Sequence, residues 1–325
     1  MPLFSVIMPL YNKAPYVRRA VLSVVEQSLE DWELVVVDDG SSDGSAEVVA
    51  AIGDSRIRLV HQQNAGASAA RNRGVGESGG RYLCFLDADD WWETAFLGEM
   101  AALIERHPNA GIYGTGYYIV KNGRRRVAPI GLGEGFGEGE IDYCAVYART
   151  LCMPLWTGAV CMPREVFDWA GGFPMGISLG EDFLLWVKVA LQHRVVLINK
   201  PLSNYNQDVD ATYRGTHRLH NPERHMLWHL DSLPATTDRS LAVLLDRLKA
   251  YSLWPYYLSH KYHAATMPLL EGVDWKNVPG ATCRRYRLPL WYARVRECVL
   301  MQAVRIKDCL MRARSNHNEF HPISR

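Results

Sequence analysis

Residues 1–120 alternate short apolar runs with amphipathic stretches. Residues 4–8 form the first run, and Pro9 is expected to end that strand because its nitrogen carries no hydrogen for a ladder. Residues 15–29 place Val17, Val21, Val24 and Val25 at helical spacing. A second buried run, 33–37, ends in Asp38-Asp39-Gly40, and Ser41 to Asp43 supply cap residues for a helix through Val48 and Val49. Runs at 57–61, 81–86 and 110–115 read as further strands, with helices over 67–76 and 94–107 between them. Strand alternating with helix predicts an α/β fold, a doubly wound and mainly parallel sheet with helices on both faces.

Beyond residue 116 the rhythm changes. Segments 117–120 and 124–127 flank Asn122-Gly123, a strong hairpin signal. Gly131, Gly133, Gly135, Gly137 and Gly139 follow, interleaved with Glu134, Glu138 and Glu140, as a solvated loop or a lid. Residues 156–162 read as a strand, and a short helix opens near Arg164. An amphipathic helix over 180–190 carries Glu181 and Asp182 in its first turn. Residues 238–260 form a helical pattern with Leu241, Leu244, Leu245 and Leu248 on one face and a bend at Pro255. These features predict a sheet domain over 1–215 and a helical C-terminal region over 216–325.

The polar residues at the ends of the apolar runs suggest chemistry. Pro9-Leu-Tyr-Asn12, Asp38-Asp39 and Asp87-Ala-Asp-Asp90 each follow a strand, and open α/β sheets bind ligands beyond their carboxyl strand ends. The aspartates at 87, 89 and 90 either cap the next helix or hold a hard cation such as Mg²⁺ or Mn²⁺, which takes oxygen ligands. Asn64 opens a segment of small residues running to Gly74, where a ligand can approach the backbone and a helix N-terminus favours phosphate. An aromatic ring, two carboxylate clusters and Arg71 on one rim suit a nucleoside diphosphate with a metal.

Six segments in this order resemble the family 2 glycosyltransferases: Ser-Val-Ile-Met-Pro-Leu-Tyr-Asn12, Val-Val-Asp-Asp-Gly-Ser-Ser-Asp43, the segment 64–74, Phe-Leu-Asp-Ala-Asp-Asp90, Gly171-Gly-Phe173 and Gly180-Glu-Asp182. The resemblance spans residues 5–205 and implies a GT-A fold. It implies that Pro9 and Tyr11 pack on the nucleoside, that Asp39 accepts the ring N–H of the base, and that Arg71 reaches the base or its surroundings. Asn12 and Asn64 are further donor-side candidates. Asp87 would hold ribose, and Asp89 the divalent metal, Mn²⁺ or Mg²⁺, that bridges the diphosphate. Asp182 takes the position of the catalytic base, expected to be ionised near neutral pH, and Glu181 binds acceptor hydroxyls or orients the loop. Uracil, thymine and guanine all offer a ring N–H, so Asp39 argues against cytidine, and UDP is favoured as the family's commonest donor base. Trp156 offers a sugar ring a flat face or belongs to the core.

The implied activity is an inverting, metal-dependent transfer of a sugar from a nucleotide-sugar donor to a hydroxyl of a glycan or lipid-linked glycan, in cell-surface polysaccharide biosynthesis. Two alternatives stand beside it. A sugar nucleotidyltransferase is opposed by Pro9-Leu-Tyr-Asn12 where a glycine-rich basic loop belongs, and a non-catalytic sugar-nucleotide sensor or assembly subunit is opposed by intact Asp89 and Asp182.

Composition is that of an ordinary globular chain, 48% hydrophobic and 22% charged. Seven cysteines without C-x-x-C spacing suggest a reducing compartment. Met1 leads almost directly into the first strand, so a cytoplasmic location is expected, with peripheral attachment to the inner membrane face as an extension of it. A formal +1 hides an asymmetry: residues 281–325 hold ten Lys/Arg against three Asp/Glu, or +7, leaving −6 for the remainder. Trp291, Val295, Cys298, Val299, Ile306, Cys309 and Leu310 form one helical stripe flanked by arginines. This stripe packs on the protein or lies on an anionic membrane through residues 284–314. No nucleic-acid motif accompanies the charge. Trp254, Tyr256, Tyr257, Tyr262 and Trp275 dock this helix, shape an acceptor site or make a homodimer contact. His217, His220, His225 and His229 are solvated or supply a third metal ligand.

Overall fold

The structure, a computed structural model, describes residues 1–209 and 219–300. The chain forms two compact units, Met1–Leu245 and Asp246–Arg325. In the first, the order is β1 (Phe4–Leu10), α1 (Ala14–Val25), β2 (Trp32–Asp38), α2 (Ser45–Ala50), β3 (Ile57–His61), α3 (Ala67–Glu77), β4 (Tyr82–Phe85), β5 (Trp91–Trp92) and α4 (Phe96–Arg106). Then come β6 (Ile112–Lys121), β7 (Arg124–Val127), β8 (Glu138–Ile141), α5 (Tyr143–Thr150), β9 (Val160–Pro163), α6 (Arg164–Ala170), α7 (Glu181–Ala190) and β10 (Val195–Asn206), followed by α8 (Arg239–Ser252), which runs through the division between the units.

One sheet in the order β3-β2-β1-β4-β9-β6-β10-β5 holds these strands, with β7 paired to β6 and β8 to β10. Strands β1, β2, β3, β4, β6 and β10 share one direction, whereas β9, inserted between β4 and β6, opposes both neighbours. This reversal brings the lead-in to β9 to the rim where the parallel strands end.

Alternate residues of β1 bury opposite faces, as a strand requires. Phe4, Val6, Met8 and Leu10 share a cluster with Val17, Val21 and Val24 of α1 and Phe96, Met100 and Leu103 of α4. Ile7 faces the other side, where α3 lies so close that a Cβ on Gly74 would come within 2.5 Å of Ile7 Cγ2. On that side Phe85 packs edge-on to Phe173 at 5.0 Å, with Phe167 and Trp186 completing the aromatic layer. Helices therefore cover both faces, as expected.

Several boundaries differ from the sequence reading. The first strand runs through Pro9 to Leu10. Ile7 turns its carbonyl to Leu86 and Leu10 its carbonyl to Asp39, so the alternation points the Pro9 nitrogen toward the side that β4 leaves at Phe85. The missing N–H costs no ladder bond there. Runs 110–115 and 117–120 are one strand, β6, and Asn122-Gly123 makes the expected tight turn with φ of 53° and 66°. Residues 156–162 are not wholly strand, since Thr157–Ala159 form a 3₁₀ turn before β9. Part of the glycine-rich segment is not a loop: Glu138–Ile141 pair with the free edge of β10, and Glu138 and Glu140 find Arg106 and Arg194. The cap position of α2 is Gly44 rather than one of residues 41–43, with Asp43 accepting from the Ser45 N–H at 3.0 Å. The aspartates after β4 do not cap α4, whose N-cap is Ala95.

The predicted helix over 238–260 is two helices rather than one bent one. Leu253 follows α8 and precedes α9 (Trp254–Leu258), whose first turn takes Pro255. The second unit adds α10 (His263–Glu271), α11 (Gly280–Tyr286) and a helix over 290–300. Its aromatic residues pack together, Tyr286 meeting the rings of Trp254, Tyr257 and Trp275 at 5.0–5.1 Å. Arg294 donates to the Leu258 carbonyl at 2.9 Å, and Trp254 Nε1 to Glu297 at 3.3 Å, so this layer docks the helix over 290–300. Ile306, Cys309 and Leu310 of the predicted stripe lie outside the described residues, as does His217. No helix among the described residues is long and apolar enough to cross a membrane.

Candidate active site

The carboxyl rim collects the polar segments in two layers. The outer one is a pair of laced loops after β1 and β2. The Asn12 N–H donates to Ser41 Oγ, the Ser42 N–H to Asn12 Oδ1, the Lys13 N–H to Ser45 Oγ and the Ala14 N–H to Asp43. Asn12 has φ of 50°, a left-handed conformation that asparagine tolerates. Tyr11 stays 49% exposed on this rim, beside half-buried Pro9.

Asp39 is buried and already has donors: Gln62 Nε2 at 2.7 Å and the Ala65 N–H at 2.8 Å on Oδ1, and the Gly66 N–H at 2.8 Å on Oδ2. A carboxylate has about four acceptor positions, so roughly one remains for a further N–H. These bonds also fix the turn into α3, which exposes Asn64.

The inner layer is the segment 87–90, and each of its carboxylates has a different partner. Asp87 accepts from Arg71 at 2.7 Å, Asp89 pairs with Lys13 at 2.6 Å, and Asp90 accepts from the Asn206 N–H at 2.8 Å and Trp156 Nε1 at 3.0 Å. Burial raises the Asp89 carboxyl above its ordinary value, Lys13 opposes the rise and Asp87 adds to it. Burial, Asp89 and Asp87 push buried Asp90 well above the ordinary range. Lys13 and Arg71 therefore do not neutralise this negative field completely.

Arg71 is the bridge. Its guanidinium donates to Asp87 on one side and to Glu181 at 2.8 Å on the other, with its carbon 5.1 Å from the centre of the Phe173 ring. Burial alone would lower its value, but the charges of Asp87 and Glu181 lift it above that of an ordinary arginine. Its Nε is buried and has no partner among the described residues.

Asp182 lies beside this bridge in the first turn of α7. Gly180, at φ 83°, sets the turn, and a Cβ there would come within 2.2 Å of Met226 Sδ. Asp182 is buried, with Oδ2 accepting from Thr157 Oγ1 at 2.7 Å and Oδ1 from the Phe183 N–H at 2.8 Å. Burial, then Glu181, raises its carboxyl to about 6 against the pull of Thr157, Arg71 and the Phe183 N–H. Such a group is ionised at neutral pH yet more basic than an ordinary aspartate.

Trp156 is half-buried, with one face against Tyr205 at 3.9 Å between centres and Tyr117 further off at 6.0 Å. Its indole thus belongs partly to a small cluster around Tyr117 and Ile119. Among the histidines, Nδ1 of buried His225 accepts from the Leu227 N–H, and burial with His220 and His229 nearby lowers its value to about 4. Among the described residues no group of three His, Cys, Asp or Glu is arranged to hold a metal.

Sequence reasoning missed Lys13 and Thr157, and it singled out Asp90 without its partners Asn206 and Trp156. Lys13 directly follows Asn12, which ends the polar segment after the first strand. Thr157 is the single hydroxyl in the apolar run 156–162.

An open α/β sheet gathers carboxylates, a buried arginine and a more basic aspartate on one rim, and comparison with known proteins says which class of protein this is. The model of "Glycosyl transferase family 2" matches residues 5–152. The UDP-Glc:alpha-D-GlcNAc-diphosphoundecaprenol beta-1,3-glucosyltransferase WfgD of Escherichia coli is 37% identical over 204 residues, covering 61% of this chain and 73% of WfgD. The uncharacterized glycosyltransferase EpsJ of Bacillus subtilis is 37% identical over 131 residues, 40% of this chain and 38% of EpsJ. The chain spans about a third of the length of several curated relatives, such as 32% of a Rickettsia felis glycosyltransferase. Crystalline S. aureus TarS 1-349 in complex with UDP-GlcNAc superposes with a TM-score of 0.67 at 21% identity, over 90% of this chain and 87% of that one. The chain belongs to glycosyltransferase family 2 and has the GT-A fold.

Proposed function

We propose that the chain is an inverting, metal-dependent glycosyltransferase. It moves a sugar from a nucleoside-diphosphate donor, with UDP favoured, to a hydroxyl of a glycan or lipid-linked glycan in surface polysaccharide biosynthesis. The observation that carries this reading is the Asp87–Arg71–Glu181 bridge, which ties the aspartate segment to Asp182 on a single rim. WfgD, whose name gives a UDP-glucose donor and a diphosphoundecaprenol acceptor, and TarS, solved with UDP-GlcNAc, support the donor and acceptor classes.

In the proposed chemistry the acceptor oxygen attacks C1 of the donor sugar as its proton passes to Asp182. The bond from C1 to the diphosphate oxygen breaks, and the nucleoside diphosphate leaves with the electron pair. Attack opposite the leaving group inverts C1. Glu181 is held by Arg71 and faces the acceptor side, while Tyr11, Pro9, Asn12, Asn64 and Asp39 border the nucleoside end. The hard oxygen donor Asp89 fits a Mg²⁺ or Mn²⁺ ion and would hold it, while Asp87, paired with Arg71, would hold ribose. Such an ion would supply Lewis-acid charge for the departing diphosphate.

A thermal-shift panel of UDP, dTDP, GDP and CDP with and without Mn²⁺ tests this reading. A ligand at 100 times its dissociation constant adds about 2.7 kcal/mol to stability. We expect a metal-dependent rise in midpoint with UDP and none with CDP. No rise with any of the four nucleotides contradicts the reading.

The helix over 290–300 supports a proposed lipid partner. Trp291, Val295 and Val299 are 68%, 56% and 60% exposed, whereas Ala293 is buried, so the apolar stripe faces outward. Arg284, Arg285, Arg287 and Arg296 are exposed in and just before this helix, and each basic residue near an anionic bilayer contributes about 1 kcal/mol. The proposed partner is an anionic membrane surface, in keeping with a lipid-linked acceptor. The whole chain should sediment with phosphatidylglycerol vesicles and much less with phosphatidylcholine ones. Replacing Trp291, Val295 and Val299 together by serine should abolish sedimentation, and equal sedimentation of variant and parent would refute the lipid contact.

A further inference from the structure

We propose that Thr157 is a positioning residue for transfer, holding the Asp182 carboxylate in the orientation from which it meets the acceptor hydroxyl. This rests on the reading of Asp182 as the base and names the device that makes it effective.

The geometry begins with strand direction. Because β9 opposes its neighbours, the turn before it lies on the same rim as the ends of β1, β2 and β4. That turn is pinned on either side of Thr157 by the aspartate segment and the strand after it. Trp156 Nε1 donates to Asp90 at 3.0 Å, and Trp92 Nε1 donates to the Gly158 carbonyl at 2.6 Å. Between these anchors Thr157 is 2% exposed and places its hydroxyl 2.7 Å from Asp182 Oδ2. A buried β-branched side chain has few rotamers to visit, so the donor is fixed in space.

The bond matters because of what else faces Asp182. Its Oδ1 is held by the Phe183 N–H, within the same helix. Thr157 holds the other oxygen, so the two bonds together set the carboxylate plane. Glu181 lies next to it on α7, Arg71 reaches it electrostatically from α3, and Tyr143 and Tyr147 of α5 also sense its charge. Both phenols are pushed upward by burial and stay neutral, so neither compensates the carboxylate. Arg71 is shared with Asp87 and Glu181, which leaves the Thr157 hydroxyl as the neutral side-chain donor that Asp182 has among the described residues.

The route through Thr157 also complements the Arg71 bridge. Asp87 reaches the Glu181–Asp182 pair through a charge, whereas Asp90 and Trp92 reach it through the turn. The aspartate segment is thereby joined to the proposed base at two separate points. Removing one leaves the other, so a Thr157 variant should fold and bind nucleotide while losing orientation at Asp182.

The test compares Thr157→Val, which keeps the shape and removes the hydroxyl, with Thr157→Ser, which restores it. Carbon NMR of protein labelled at the aspartate carboxyl gives the Asp182 titration directly, with its resonance assigned by its loss in Asp182→Asn. The hydroxyl bond favours the ionised form, so in Thr157→Val the midpoint should move up by about one unit and Thr157→Ser should return near the parent. Turnover of the donor selected by the nucleotide panel should fall about tenfold or more in the valine variant, with donor KM within about twofold of the parent, and its acid limb should move to higher pH in step with the titration. Parental titration and turnover in Thr157→Val, with Asp182→Asn inactive, would overturn the role of Thr157 while sparing the base. An active Asp182→Asn would overturn the base reading and this inference together.

Discussion

Asp182→Asn should reduce sugar transfer by about a thousandfold while leaving nucleotide binding within about twofold of the parent, since a positioned general base contributes typically 10²–10⁴ in rate. The substitution keeps the shape, and an asparagine oxygen can still accept from Thr157. What it removes is the ability to take a proton. Parent activity should therefore carry an acid limb near pH 6, because below that value Asp182 holds a proton and above it the carboxylate is free. The same shift predicts the variant's stability. A carboxyl raised from 3.8 to about 6 by folding costs the folded state free energy that grows between those pH values and is complete above the upper one, on the order of 3 kcal/mol. Asparagine is free of that cost, so the variant's melting temperature at neutral pH should equal or exceed the parent's. A lower melting temperature with lost nucleotide binding would instead mean that Asp182 holds the site together. Kinetics and unfolding measured on one preparation separate the two.

This exchange of stability for basicity also explains the surroundings of Asp182. A buried, unpaired aspartate would be expected to take a proton, and burial does push this one upward. Thr157, Arg71 and the Phe183 N–H limit the rise, which leaves a group ionised at neutral pH and able to accept a proton.

Much of the fold is legible in the alternation of apolar runs and helical stripes. Valines at 17, 21 and 24 do bury against the sheet, and Asn122-Gly123 does turn a hairpin. What escapes is set by neighbours that the local sequence does not name. Pro9 continues its strand because β4 has already ended on the side its nitrogen faces. Glu138–Ile141 has no apolar alternation and reads as a loop, yet the edge of β10 accepts it and Arg106 and Arg194 neutralise its glutamates. The outward apolar stripe at 291–299 is legible as a stripe, but which side faces the protein depends on Trp254 and Leu258.

The candidate site follows the same division. Its acidic residues stand out because each cluster closes a hydrophobic run. Their partners do not, because the ties cross long stretches of chain: 76 residues from Lys13 to Asp89, 110 from Arg71 to Glu181 and 66 from Asp90 to Trp156. A resemblance carries roles for the acidic residues, yet it does not say that Arg71 joins two of them or that a threonine beside a tryptophan bonds the proposed base. Such pairs become visible when the sheet brings β4, α3 and the lead-in to β9 to one rim.

Asp89 gives the second large effect. Its carboxylate is raised by burial and by Asp87, so a cation there is favoured, and in the structure Lys13 supplies part of that charge. In Asp89→Asn the proposed oxygen ligand for a divalent ion loses its charge, and the ion pair with Lys13 is lost. Nucleotide binding should then be weak and indifferent to metal. In the proposed reading, metal and donor diphosphate meet at Asp89. The direct measurement is calorimetric titration of UDP into parent and Asp89→Asn, with and without Mn²⁺. Mn²⁺ should tighten UDP binding to the parent by about a hundredfold, or 2.7 kcal/mol, and leave the variant unchanged. Equal tightening in both proteins, or no UDP binding to the parent with the metal present, would contradict this reading.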